Sequence, residues 1–336
     1  MPPDTKNASG QPVLVTGAAG FIGFHVVKTL IQMGGKVVGV DNLNDYYDVA
    51  LKKGRLSQLT VSPNFSFYKA DIADQESIES IILDNNDLTS VIHLAAQAGV
   101  RYSQTNPYSY EHANLRGLLV LLESVRALRR LQHFIFASSS SVYGSLTKLP
   151  YSIKDTTDKP ISFYGATKKG GEAICHSYAH LYSIPVTCLR FFTVYGPWGR
   201  PDMAAHLFTK NILSGEAIKV FNHGDMRRDF TYIDDCVAGV LGCIDGAPTS
   251  IKGVAPFAVF NIGNSRSEKL LDFINIIEDK VGSKAIINYL PMQDGDVRET
   301  YADIEESKQA FGFDPKTNID EGLENFVRWY RDYYKT

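Results

Sequence analysis

Cysteine is scarce in this chain, with only Cys175, Cys188, Cys236 and Cys243 among 336 residues. They form no C-x-x-C pair and none of the spacings of a secreted disulfide scaffold, so they read as reduced thiols of a cytoplasmic protein. Long apolar runs are missing too, and nothing approaches membrane-spanning length. The opening segment Met1 to Gln11 is polar, holds Pro2, Pro3 and Gly10, and lacks an apolar h-region; residues 1–10 are expected to be a flexible tail and not a signal peptide. There is no excess of positive charge. The formal net charge is −3, which gives no general attraction to nucleic acid or anionic lipid, so an anionic ligand must find a local basic site. Internal repeats and low-complexity tracts are also absent. What remains is an ordinary globular composition, 44% hydrophobic and 21% charged, at a length that suits one large domain or two ordinary ones.

Val13 to Thr16 reads as a short apolar strand, and Gly17-Ala18-Ala19-Gly20-Phe21-Ile22-Gly23 follows at once. A helix is expected from about Phe24 to Met33, then a strand from Lys36 to Val40 ending in Asp41. Strand, glycine turn, helix, strand and acid make up a dinucleotide-binding unit. The glycines let backbone approach a pyrophosphate closely, and the helix N-terminus offers unpaired N–H groups to its charge. The spacing G-x-x-G-x-x-G departs from the generic G-x-G-x-x-G. Asp41 can accept from a ribose 2′-OH and would repel a 2′-phosphate, which favours NAD over NADP.

Strand Phe65 to Lys69 leads to Asp71-Ile72, where a carboxylate is placed to meet an adenine amino group. Strand Val91 to Leu94 runs into Ala95-Ala96-Gln97-Ala98-Gly99, small residues that leave room beside the backbone. Helix Tyr108 to Leu128 and strand His133 to Ala137 precede the serine run Ser138 to Ser141. This alternation predicts an α/β fold, a Rossmann-type doubly wound parallel sheet with ligands beyond the carboxyl ends of its strands.

Tyr164 and Lys168 lie four apart, so on a helix their side chains leave the same face. A phenol titrates near ~10 unperturbed, and a neighbouring ammonium favours the phenolate, which makes tyrosine a usable base or acid. Alone, such a pair is often a coincidence of a surface helix. The glycine turn and the serine run upstream supply a context for it. After helix Tyr164 to Tyr182 and strand Val186 to Phe192 the alternation loosens. Helix Ala204 to Ser214, strand Ala217 to Phe221, helix Ile233 to Gly246, strand Val259 to Ile262, helix Lys269 to Val281 and helix Glu321 to Tyr334 follow. The expected organisation is a dinucleotide domain of residues 11–190 plus about 228–262. A smaller α/β C-terminal substrate lobe takes about 191–227 plus 263–336. Cys175, His176, His180 and Cys188 invite a zinc reading, but the cysteines lack closed-site spacing and no metal is expected.

With these motifs in order, the sequence resembles the extended short-chain dehydrogenase/reductase family. Within it the likeness is to the nucleotide-sugar 4-epimerases, those acting on UDP-glucuronate in particular. Its most specific pieces are Asp41-Asn42-Leu43-Asn44-Asp45-Tyr46-Tyr47-Asp48 and the run Arg190 to Asp202, with Arg228-Asp229-Phe230-Thr231-Tyr232 shared more widely. The resemblance implies bound NAD held by Gly17, Gly20, Phe21, Ile22, Gly23, Asp41, Asn42, Asp71, Ile72, Leu94, Ala95, Ala96, Asn114, Tyr164 and Lys168. It implies catalysis by Tyr164, with Lys168 lowering its pKa and Ser139 on the sugar O4, and a UDP-sugar contacted by Ser139, Ser140, Ser141, Thr193, Arg200, Arg228 and Arg298. It also implies a homodimer formed through helices Tyr108 to Leu128 and Tyr164 to Tyr182.

The implied reaction oxidises C4, turns the 4-keto sugar over and reduces it on the other face, interconverting UDP-glucuronate and UDP-galacturonate. Related dehydratases and decarboxylases carry an acid where this chain has Ser140-Ser141-Val142, so elimination lacks its acid/base pair. UDP-galactose 4-epimerases resemble Arg-Tyr-Phe-Asn where this chain has Arg190-Phe191-Phe192-Thr193; a threonine facing serines can bind a C6 carboxylate, and Arg200 can add charge. A neutral UDP-sugar remains the alternative substrate. A non-catalytic NAD-binding scaffold is disfavoured because Tyr164 and Lys168 are both present.

Overall fold

The computed structural model describes residues 11–251 and 253–336, so the expected tail at residues 1–10 lies outside the described residues. The strands are β1 (Val13–Thr16), β2 (Val37–Asp41), β3 (Phe65–Lys69), β4 (Ser90–His93), β5 (His133–Ser139), β6 (Val186–Phe191), β7 (Thr193–Tyr195), β8 (Ala217–Val220), β9 (Arg227–Arg228), β10 (Phe230–Tyr232), β11 (Phe257–Ile262), β12 (Glu268–Lys269) and β13 (Ile286–Tyr289). The helices are α1 (Phe21–Gln32), α2 (Val49–Leu59), α3 (Gln75–Asp84), α4 (Tyr102–Thr105), α5 (Pro107–Tyr110), α6 (Gly117–Val125), α7 (Phe163–Tyr182), α8 (Ala204–Ser214), α9 (Ile233–Ile244), α10 (Leu270–Val281), α11 (Glu305–Phe311) and α12 (Ile319–Tyr334).

Seven strands form one parallel sheet in the order β11-β6-β5-β4-β1-β2-β3. The winding reverses between β1 and β4, which opens a crevice at their carboxyl ends. Alternating side chains reach opposite faces. Val13 and Val15 join one core with α1, α9 and the C-terminal residues Phe273, Phe326 and Tyr330. Leu14 joins a second core with Ile78, Leu118 and Cys175 from α3, α6 and α7. The expected doubly wound sheet is therefore present, with three two-stranded pairings beside it: β7 with β10, β8 with β13, and β9 with β12.

Several local expectations change. Helix α1 begins at Phe21, three residues earlier than the pattern suggested, so Phe21, Ile22 and Gly23 are its first turn. The single helix expected from Tyr108 to Leu128 is broken into α5, a π-helical segment Glu111–Arg116, and α6. Strand β5 runs on through Ser139, and only Ser140 to Tyr143 form the turn that follows. Helices α2, α3, α4 and α11 fall in stretches where the sequence reading places no helix. Asp48 and Asp74 cap the first two by accepting from Ala50 N and Ser77 N. Among the described residues no helix is long and apolar enough to cross a membrane.

Candidate active site

The turn after β1 packs against the end of β4 so tightly that only glycine fits. A Cβ on Gly17, whose φ is +72°, would lie 2.8 Å from Ala95 N, and one on Gly23 would lie 2.0 Å from Gly17 O. Gly20 precedes α1 without a side-chain cap, and the first turn carries no acid, so its N–H groups are left to an anion. Phe21 is buried in the first core, so what it offers a ligand is backbone. Asp41 closes β2 and accepts from Ala19 N at 3.1 Å and Leu43 N at 2.8 Å, one bond on each oxygen, which leaves a lone pair on each for ribose hydroxyls. A close-packed glycine turn, an open helix N-terminus and a fixed acid fit the pyrophosphate and ribose of NAD.

Asn42 donates to Asp71 at 3.0 Å, and His112 meets the other Asp71 oxygen at 3.1 Å. Burial alone would raise the Asp71 carboxyl, but the Ala73 amide, Asn42 and His112 outweigh it and hold it below its ordinary value. The Ile72 side chain packs in the second core. Leu94, Ala95 and Ala96 stay partly exposed at the end of β4, where Thr16 Oγ1 takes the Ala95 N–H at 3.1 Å. The Asn114 side chain is absorbed by protein groups. It accepts from Gln97 N and donates to Gln97 O and Thr167 Oγ1, tying the loop after β4 to α7.

Helix α7 is capped by Ser162, which accepts from Gly165 N, and it delivers Tyr164 and Lys168 toward the end of β5. The two lie one turn apart on that helix. Lys168 is buried and donates to Ala137 O at 2.8 Å, with its ammonium over the Phe136 ring, and burial pulls it down to about 8. Burial raises the Tyr164 phenol, while Ser139 and the Arg200 charge pull the other way. Ser139 also accepts from Ser141 N and donates to Ser141 Oγ, each at 3.2 Å, so the serine run is mutually ordered. Ser140 and Ser141 are partly exposed in that turn. Ser139 is in register with Phe191 of β6, and Thr193, two residues beyond Phe191, opens β7.

Three further groups order the neighbouring loops. Glu172, two turns beyond Tyr164 on α7, takes Ser138 Oγ at 2.7 Å and pairs with Arg190 through both carboxylate oxygens. Arg200 is gripped by Asp202, which also accepts from Tyr46 Oη at 3.2 Å; both partners lie in the quoted motifs, so this contact was findable. Asp229 is fully buried and accepts from the backbone of Asn264, Ser265 and Ala302, which fixes the turn beside Arg228. Arg228 donates to the carbonyls of Arg227 and Arg298. The Arg298 side chain is 71% exposed and pairs with Asp225 at 2.9 Å, so only its backbone meets Arg228. Among the described residues no cluster of three metal-ligating side chains exists.

Residues 13–263 match the NAD dependent epimerase/dehydratase family. UDP-glucuronate 4-epimerase 2 of Arabidopsis thaliana is 47% identical over 98% of this chain and 78% of that protein. The Bacillus cereus UDP-glucuronic acid 4-epimerase, solved with UDP-glucuronic acid and NAD, superposes with a TM-score of 0.88 at 35% identity. It covers 96% of this chain and all of that one. A UDP-glucose 4-epimerase from Thermotoga maritima, solved with UDP-glucose, gives 0.85 at 33% identity over 96% of this chain and all of its own. With that match over most of its length, the chain belongs to the NAD dependent epimerase/dehydratase family.

Proposed function

We propose that this protein is an NAD-dependent UDP-glucuronate 4-epimerase that interconverts UDP-glucuronate and UDP-galacturonate. The observation that carries the reading is the start of α7 packed on the serine turn, where a Cβ on Gly165 would lie 2.6 Å from Ser141 O, with the glycine cradle after β1 and no acid in Ser140-Ser141-Val142. Gly17, Gly20, Gly23, the first turn of α1 and Asp41 would hold NAD, which when bound supplies the acceptor and donor of the C4 hydrogen. Tyr164 takes the proton of the sugar 4-OH during oxidation and returns it during reduction, with Ser139 hydrogen-bonded to O4. Lys168, anchored on Ala137 O, keeps a cation under the reacting end of α7. Between the two half-reactions the 4-keto sugar turns over in the pocket. That sugar is a β-keto acid, and the hydroxyls of Ser140, Ser141 and Thr193 with the Arg200 charge fix its carboxylate against loss of CO₂. Arg228, with Arg298 shaping its position, faces the UDP diphosphate.

Residues 11–190 with about 228–262 serve the cofactor, and about 191–227 with 263–336 serve the UDP-sugar. A homodimer is supported by exposed apolar side chains on α6 and α7, among them Leu119, Leu181 and Tyr182. Four free, buried cysteines support a cytoplasmic setting. The test is to incubate the purified protein with UDP-glucuronate and with UDP-glucose, without added NAD, and identify the products. UDP-galacturonate from the first alone is the expected result. UDP-galactose from the second at a similar rate would reassign the enzyme to neutral sugars.

A further inference from the structure

Arg55 is wholly buried, yet among the described residues no acidic side chain is one of its bonding partners. It lies on α2 under the glycine turn. One Nη donates to Ala19 O of that turn at 2.9 Å and to Tyr47 Oη at 2.7 Å, and the other donates to Trp198 O at 2.6 Å. Its Nε has no partner among the described residues. All three acceptors are neutral. The carboxylate tied to the same turn, Asp41, accepts from Ala19 N and Leu43 N, and the buried Lys52 donates to Asn44 Oδ1. A guanidinium cannot lose its proton inside a protein, so its charge stays in the interior without a direct counter-ion. Such a charge raises the free energy of the empty protein and lowers it again when an anion arrives nearby. The turn that Arg55 touches is the one whose α1 N–H groups await a diphosphate.

We propose that Arg55 is a positioning residue for the cofactor: a fixed positive charge behind the glycine turn that favours the dinucleotide diphosphate and holds the loop before Arg200 against the same turn. This rests on the NAD reading above. It also gives a use to the Asp41–Asp48 motif, because Tyr47 supplies one of the three acceptors. Trp198 lies two residues before Arg200, so a single side chain spans the cofactor turn and the segment that carries charge toward the sugar.

The test compares wild type, Arg55→Gln and Arg55→Lys in two measurements. The first is NAD released per chain on denaturing the protein as purified. The second is the affinity of nucleotide-stripped protein for ADP-ribose, which carries the diphosphate, and for adenosine, which does not. Arg55→Gln should release much less NAD, and its ADP-ribose affinity should fall at least tenfold while adenosine changes less than twofold. Arg55→Lys keeps the charge and should preserve the wild-type preference for ADP-ribose. Arg55→Met, which packs in place of the arginine stem, replaces the Gln variant if that one fails to fold. Equal weakening of both ligands, unchanged binding of both, or loss of the preference in Arg55→Lys would each overturn the proposal. Wild-type protein that releases no NAD would overturn the cofactor reading itself.

Discussion

Glu172 receives Arg190 Nε at 2.8 Å on one oxygen and Nη2 at 2.9 Å on the other, in a buried pair that joins α7 to β6. Ser138 donates to the same carboxylate, so the pair also fixes the strand end that presents Ser139. Removing one partner strands the other as an uncompensated buried charge. Glu172→Ala should therefore cost about 3–5 kcal/mol in denaturant unfolding. The pH dependence has a definite sign. Burial alone would raise the Glu172 carboxyl, but Arg190 and Ser138 outweigh it, and its folded pKa lies below the ordinary 4.5. Its contribution is complete above about 4.5 and lost as pH falls through the lower folded value. Wild-type stability should drop over that acid window, and the Glu172→Ala difference should shrink with it.

Tyr164→Phe removes the proton carrier and keeps the ring that packs edge-on against Tyr110 at 6.0 Å. Turnover of UDP-glucuronate should fall by about 10² to 10⁴, the usual loss on deleting a general base, with UDP binding unchanged. Wild-type turnover in this variant, measured by product chromatography, would remove Tyr164 from the chemistry.

Lys168 is charged at neutral pH although burial pulls its pKa from 10.5 to about 8. The charged form is thus disfavoured in the empty fold by about 3 kcal/mol, a penalty present below pH 8 that fades as pH rises toward 10.5. Lys168→Met should leave the nucleotide-free protein at least as stable as wild type at pH 7 in thermal unfolding, despite one orphaned carbonyl on Ala137. Its turnover should collapse all the same. A marked fall in Tm on this substitution would show that the lysine is held for structure.

Thr193→Ala tests the carboxylate pocket. Affinity for UDP-glucuronate should weaken by about 1.5–3 kcal/mol, the range for a hydrogen bond to a charged group, while UDP alone binds as before. A looser carboxylate in the 4-keto state should also raise a UDP-pentose by-product relative to UDP-galacturonate. Normal binding with no extra decarboxylated product would show that Thr193 does not read the carboxylate.

The parts of this fold that the sequence reveals are those whose buried faces are apolar. Strands β1, β2 and β4 and helices α7 to α10 follow hydrophobic period closely enough to be found, and glycines mark the cofactor turn. Helix α2 was invisible because its buried side includes Lys52 and Arg55, so a polar composition conceals an inward face. The break at Glu111–Arg116 was missed for a related reason: the π-turn points the polar Asn114 inward to hold Gln97, and no apolar period records it. Helix α3 did carry a readable signal in Ile78, Ile81 and Ile82 after the Asp74 cap. At the site, spacing placed Tyr164 and Lys168 on one face but said nothing of depth. The ammonium's attachment to Ala137 O depends on where β5 ends relative to α7, which is a tertiary fact.

The chain holds two tryptophans, Trp198 and Trp329, and their rings lie 5.5 Å apart. Trp198 sits on the segment before Arg200 and touches Phe24 of α1, while Trp329 belongs to the last helix. Intrinsic emission therefore arises from one junction, where the cofactor turn, the Arg200 loop and α12 meet. With excitation confined to indole, a wavelength shift on adding nucleotide reports a change in the surroundings of that junction. The enzyme carries its own optical probe of whether the loop stays seated when sugar and cofactor bind.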